Sequence, residues 1–244
     1  MTITFLSRNL EFPHPGQAGP DGLLAVGGDL TPERLIAAYS RGIFPWYGPG
    51  SPILWWSPDP RLVLFPGSLH IPRSLRRVLN SGKFTITADQ AFEKVIEYCA
   101  GIKRAGGHGT WLVPEMISAY IRLHHMGIAH SVEAWHRGQL AGGIYGLALG
   151  SIFFGESMFY RVPDASKTAL VYLCRIMQNK GYLLMDCQQT TRHMLRFGAQ
   201  EVSRAFFLEE LGKGKNQTRD RTEKWDFSCN PSGFFIPENG RVGA

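Results

Sequence analysis

Between residues 129 and 160 the sequence takes on a period of two, and this run constrains the fold more than any other. AHSVEAW alternates, HRG turns, QLAGGIYGLAL returns, GS turns again and IFFGESMF continues. Side chains on a strand alternate between faces, so three such segments joined by short turn-forming tracts read as an antiparallel meander. The next stretch, DASKTALVYLCRIMQNKG, changes to a helical period. Asp164 stands near its N-cap, Leu170, Leu173, Cys174 and Met177 share its apolar side, and Gly181 stops it. The strand YLLMDC, the helix TTRHMLRFG and the strand AQEVSR complete the pattern. One detail stands out: the buried strand runs into Asp186 and Gln188, which alternation places on one face, with Cys187 on the other.

Upstream of the meander the chain is punctuated differently. DLTPERLIAAYSRG reads as a short helix with Thr31 as N-cap, Pro32 at the first position and Gly42 as its stop. GIFPWYGPGSPILWWSPDPRLVLFP is too proline-rich for a helix and reads as a loop carrying Trp46, Trp55 and Trp56. PRSLRRVLN sets Leu75, Val78 and Leu79 on one side of a helix and Arg73, Arg76 and Arg77 on another, with Lys83 in the turn that follows. TADQAFEKVIEYCAG reads as a helix with Thr87 and Gln90 as a capping box and Phe92, Val95, Ile96 and Cys99 as its stripe. A further helix runs from Pro114 to Gly127. The shift from Gly, Pro and Trp to regular periods near residue 67 predicts a small N-terminal α/β lobe over 1–67 and a larger domain over 68–244.

A chain of 244 residues, 44% hydrophobic and 19% charged, is globular rather than disordered. Its net charge of +6 favours a partner bearing phosphates or acidic groups. Cys99, Cys174, Cys187 and Cys229 form no C-x-x-C pair and sit in apolar patterns, as reduced cytosolic cysteines do. The N-terminus lacks a basic start followed by a long apolar run, and no stretch reaches membrane-spanning length, so a cytoplasmic protein without membrane contact is expected.

The order strand, strand, strand, helix, strand, helix, strand resembles the core of GNAT-type acyltransferases, and the fold class expected is α+β. Acetyltransferases hold the pyrophosphate of coenzyme A on a glycine-rich loop opening a helix. Here the corresponding connection is YRVPDAS, with a proline and no glycine. A CoA donor is therefore disfavoured.

GLLAVGGDLTPERLIAAYSRGIFPWY, PILWWSPDPRLVL, SLHIPRS, GTW, GGIYG, FGESMF, ASKTAL and MDCQ together resemble the leucyl/phenylalanyl-tRNA–protein transferases, in order over roughly residues 5 to 205. The resemblance implies transfer of leucine or phenylalanine, with methionine as a further donor, from aminoacyl-tRNA to the N-terminal arginine or lysine of an acceptor protein. That transfer marks the acceptor for degradation, and it uses no metal or organic cofactor. An aminoacyl ester is already activated, so its aminolysis needs only two oriented substrates and one managed proton.

By the same resemblance Asp186 and Gln188 sit beside the ester, with Asp186 polarising the Gln188 amide. Glu156 acts electrostatically on the acceptor's cationic end. Trp46 and Trp111 flank the terminal adenosine of the donor, since indole faces stack on bases. Ile144, Phe153, Met158, Leu170, Leu173, Met177 and Met185 line the pocket for the aminoacyl side chain, with Ile144, Leu173 and Met177 departing from the family's methionine and aromatics. Arg73, Arg76, Arg77 and Lys83 face donor phosphates. His124, His125 and His130 lack a completing carboxylate or cysteine at metal spacing and read as locally bonded side chains. The basic KGKNQTRDRTEKW reads as a mobile or loosely packed tail. The alternatives are a CoA-dependent N-acyltransferase and a non-catalytic RNA-binding module.

Overall fold

The computed structural model describes residues 3–102, 112–214 and 225. The N-terminal part builds a four-stranded sheet from β1 (Thr4–Leu6), β2 (Leu23–Gly27), β3 (Phe44–Pro45) and β4 (Leu54–Trp56), in the order β1-β2-β4-β3. Helix α1 (Pro32–Tyr39) lies between β2 and β3 in the chain. It starts where the sequence predicts, because the Thr31 hydroxyl accepts from the Arg34 N–H and Pro32 fills a position whose N–H would be unpaired. Trp55 is wholly buried here, and its indole N–H donates to the Gly27 carbonyl at 2.8 Å.

The remaining strands are β5 (Arg61–Leu64), β6 (Thr85–Ala88), β7 (Ala129–His136), β8 (Gln139–Leu149), β9 (Ile152–Tyr160), β10 (Leu184–Gln188) and β11 (Gln200–Val202). They form one sheet of seven, in the order β11-β5-β10-β9-β8-β7-β6. The β7-β8-β9 meander is antiparallel, as the period of two dictates, and β10 joins β9 in parallel. The helices between and after these strands are α2 (Arg73–Asn80), α3 (Phe92–Ala100), α4 (Pro114–His125), α5 (Ala165–Asn179), α6 (Arg192–Leu195) and α7 (Arg204–Gly214). Two apolar cores form among the described residues. One holds α1, α3, α4 and α7 against residues such as Tyr145, Phe154 and Leu184, and the other holds α2 and α5 against Ile144, Phe153 and Met185.

Four expectations need correction. RLVL is not part of a loop but is strand β5, inserted between β10 and β11, so the chain enters the large sheet by Arg61, ahead of position 67. Thr87 does not cap α3: it sits on β6 opposite Glu133, donates to that carboxylate and accepts from the Trp135 indole. Strand pairing to β7 outcompetes the local cap, and α3 begins at Phe92 with no side-chain bond at Ala91. Helix α7 follows β11 where no element was expected, anchored by buried Phe207 and Leu211. A Cβ at Gly42 would stand 2.9 Å from Phe207, so glycine is required for α7 to approach. Most of the basic tail lies outside the described residues, but Trp225 is buried, stacked on His130 at 4.4 Å with an interplanar angle of 10°. Burying an indole between His130, Phe153 and Tyr182 anchors the chain there, against the expectation of a loose tail.

Candidate active site

The site is organised by an irregularity at the end of β10. The pairing of β10 with β5 shifts between Asp186 and Gln188, and Gln188 takes a positive φ of 62°. A left-handed conformation in a non-glycine residue costs on the order of 1–3 kcal/mol and persists only where its surroundings fix it. Here the fixing group is Asp186, whose Oδ1 accepts the Gln188 backbone N–H at 2.8 Å. Asp186 is fully buried and is itself held by Arg61 of β5, whose Nε and Nη2 donate to its two oxygens at 2.8 and 2.7 Å. The Arg61 guanidinium also lies over the rings of Phe44 and Phe207, at 4.9 and 4.6 Å from their centroids.

The bulge overturns the expected pairing of Asp186 with the Gln188 amide. Because Asp186 faces Phe154 in the parallel register of β10 with β9, Gln188 comes level with Glu156, two residues further along each strand. The Gln188 Nε2 therefore donates to Glu156 Oε1 at 2.8 Å, not to Asp186. Asp186 acts on the backbone of Gln188 and Glu156 acts on its side chain.

Glu156 has two further partners that sequence reasoning missed. The Tyr39 hydroxyl of α1 lies 2.7 Å from Oε1, and the Tyr120 hydroxyl of α4 lies 3.0 Å from Oε2. Burial pushes the Glu156 carboxyl up to about 7, with the nearby Asp186 charge adding to it and the Gln188 amide bond opposing it. Burial likewise pushes both tyrosines well above their ordinary range, so both remain neutral phenols.

Above this cluster opens a cavity of about 330 Å³, whose walls include Trp46, Ile144, Glu156, Met158, Met185, Gln188 and His193. That volume is at the lower end of small-molecule pockets. Trp46 stands half-exposed at the wall, edge-on to Trp56. Trp111 lies outside the described residues. Of the expected pocket residues, Ile144, Met158 and Met185 reach the cavity surface, whereas Phe153, Leu170, Leu173 and Met177 are buried in the α5-side core. Arg73 and Arg77 are exposed on α2, Arg76 is half-buried with its Nε donating to the Ile71 carbonyl at 2.9 Å, and Lys83 sits over the Phe84 ring. His124 and His130 are engaged locally, by the Ala129 carbonyl and by Asp89.

Arg61 carried a faint signal as a lone cation at the head of the apolar run LVLF, and Tyr39 carried none, since it completes the stripe of α1.

The sequence model of the family described as "Leucyl/phenylalanyl-tRNA protein transferase" matches residues 63–212, and that of its N-terminal domain matches residues 28–59. A leucyl/phenylalanyl-tRNA–protein transferase from Oleidesulfovibrio alaskensis is 58% identical over 239 residues, 96% of this chain and 95% of the relative. One from Nitratidesulfovibrio vulgaris is 60% identical over 214 residues, 88% and 91% of the two chains. One from an Anaeromyxobacter species is 55% identical over 229 residues, 94% and 97%. A GCN5-related N-acetyltransferase from Kribbella flavida superposes over 70% of this chain and 61% of its own with a TM-score of 0.37 and 13% identity, too loosely to carry a fold assignment.

Proposed function

The chain belongs to the leucyl/phenylalanyl-tRNA–protein transferase family, and from that premise we propose that its cavity is the place where an aminoacyl ester meets the N-terminus of an acceptor protein. The enzyme transfers leucine or phenylalanine from aminoacyl-tRNA to protein N-termini. The acceptors are those beginning with arginine or lysine, and the reaction takes place in the cytoplasm. No helix among the described residues is long and apolar enough to cross a membrane.

The observation that carries this reading is the bond from Gln188 Nε2 to Glu156 Oε1 at the wall of an apolar cavity. It turns the Gln188 carbonyl oxygen away from Glu156, free to accept from the incoming amine. Ile144, Met158 and Met185 supply the apolar wall against which a leucine or phenylalanine side chain rests, and Trp46 offers an indole face to the terminal adenine. Asp186, gripped by Arg61, holds the strained backbone that aims Gln188. Arg73, Arg77 and Lys83 meet the tRNA backbone.

The meander, α5, β10, α6 and β11 follow the acyltransferase-like order, with β9 and β10 parallel. The connection between β9 and α5 carries Pro163 and no glycine, which disfavours coenzyme A as donor. The deciding experiment mixes leucyl-tRNA with a peptide beginning in arginine and weighs the peptide. A gain of one leucine is expected, and no transfer to any basic N-terminus would sink the reading.

A further inference from the structure

Tyr39, Tyr120 and Glu156 form a closed ring of three oxygen–oxygen contacts: the hydroxyls are 2.6 Å apart, and each also touches one carboxyl oxygen, at 2.7 and 3.0 Å. Each contact needs a proton between its oxygens, and each phenol brings one. With Glu156 ionised, the ring therefore has two protons for three contacts. If both hydroxyls donate to the carboxylate, their own short contact sets two lone pairs face to face. If one donates to the other, its own contact with the carboxylate is left without a proton, lone pair facing lone pair. A proton on Glu156 completes the ring: the carboxyl O–H donates to Tyr120, Tyr120 to Tyr39, and Tyr39 to the other carboxyl oxygen, which still accepts from Gln188.

We propose that Glu156 is the group that takes the proton from the attacking amine, and that Tyr39 and Tyr120 are positioning residues whose ring is completed when that proton arrives. The proposal rests on the cavity being the aminoacyl-transfer site. The neutral α-amine attacks the ester carbonyl, a C–N bond forms, and one N–H proton passes to Glu156. The tetrahedral intermediate then collapses with cleavage of the C–O bond. The electron pair leaves on the ribose oxygen, and Glu156 returns the proton to that oxygen. One amide and one hydroxyl result, and the ring ends with the two protons it began with.

Placement supports the role. Tyr39 and Tyr120 are fully buried, so no water relieves the proton deficit from behind, while Glu156 faces the cavity beside Gln188. A part-buried carboxyl raised to about 7 also matches an amine whose reference pKa is about 8. The other titratable groups around the ring are Asp186 of β10, neutralised by Arg61 of β5; Tyr145 of β8, edge-on to Tyr120; Tyr47, near Tyr120; Tyr98 of α3, packed on Phe159; and His193 across the cavity. Burial pushes His193 down, which keeps it neutral where Glu156 titrates.

The test is the pH dependence of single-turnover transfer from leucyl-tRNA to an arginine-initiated peptide, for the wild type, Glu156→Gln, Tyr120→Phe and Tyr39→Phe. The wild-type rate should rise through a step near 7, distinct from the acceptor amine's own titration near 8. Glu156→Gln should lose that step and about 10²-fold in rate. In either tyrosine variant the ring no longer lacks a proton when Glu156 is ionised, so the step should move to lower pH. Ordinary donors to a carboxylate predict the opposite direction, and a step that moves up would overturn the ring. A step that survives Glu156→Gln would overturn Glu156 as acceptor. Infrared titration of the free protein needs no transfer: a protonated-carboxyl band lost in Glu156→Gln should have its midpoint near 7 in the wild type and lower in Tyr39→Phe and Tyr120→Phe. A wild-type midpoint in the ordinary carboxylate range would overturn the ring. A wild type that transfers nothing while this titration holds would strike the assignment of the site to aminoacyl transfer and leave the ring standing.

Discussion

Arg61 and Asp186, 125 residues apart in sequence, meet through two parallel hydrogen bonds with neither side chain exposed. A bidentate pair of this kind fixes direction as well as charge. The chain of support runs from β5 through the pair to the Gln188 N–H, and from there to the amide that touches Glu156.

Removing the cation leaves a buried carboxylate without its partner. Arg61→Met should destabilise the protein by about 3–5 kcal/mol, because an unpaired buried charge costs more than the pair contributes. Denaturant unfolding at neutral pH measures it. Adding Asp186→Asn to Arg61→Met should narrow the gap to the wild type, since the stranded charge is then gone. A double variant no more stable than Arg61→Met would mean that lost packing against Phe44 and Phe207, not charge, is what Arg61 supplies.

The cavity wall predicts donor choice. A γ-branched side chain such as leucine is narrow beside the reacting carbonyl, whereas a β-branched one is wide there, so isoleucyl- and valyl-tRNA should react poorly. Apolar pockets discriminate by about 1–3 kcal/mol per methylene, so rejection should be strong without being absolute. Met158→Ala should widen the wall and narrow the ratio of kcat/KM between leucyl and isoleucyl donors. Equal rates in the wild type would leave Ile144, Met158 and Met185 as core.

For the tRNA backbone, Arg73 and Arg77 are cleaner probes than Arg76, whose guanidinium already serves the Ile71 carbonyl. Arg73→Ala or Arg77→Ala should each weaken donor binding and flatten its salt dependence by about one counterion. Binding measured across a salt series decides it. A slope unchanged in both variants would make α2 a solvated face.

What the sequence made legible follows from where local rules act alone. The meander, α1 with its Thr31 cap, and α5 with its apolar side depend on neighbours within a few residues, and all three stand where their periods place them. What it hid depends on distant pairing. RLVL reads as loop because β5 is a short strand whose partners, β10 and β11, come more than a hundred residues later. Thr87 was drawn into β6 by the same kind of pairing. At the site, Asp186, Gln188 and Glu156 could be picked out, but not which of them touch. Strict alternation puts Asp186 and Gln188 on one face, but the parallel register of β10 with β9 brings Gln188 level with Glu156, and the register shift against β5 bends Gln188 into a positive φ.

That shift gives a prediction in which stability and activity part. Gln188 holds a φ of 62°, a region that glycine enters without the steric cost other residues meet. Gln188→Gly keeps the backbone N–H that Asp186 accepts and removes the strain, so the variant should be as stable as the wild type or more stable by up to about 1 kcal/mol, set against glycine's entropic cost. It also removes the amide that orients the amine and holds Glu156, so single-turnover transfer should fall about 10²-fold or more. Asp186→Asn should act on the same unit from the backbone side, and the double variant should be little slower than the slower single one. Thermal unfolding and single-turnover transfer, measured on the same preparations, separate the two effects. A Gln188→Gly protein that is stabilised and still transfers leucine at the wild-type rate would reduce Gln188 to a strained strand end, and would leave proton handling to Glu156 without it.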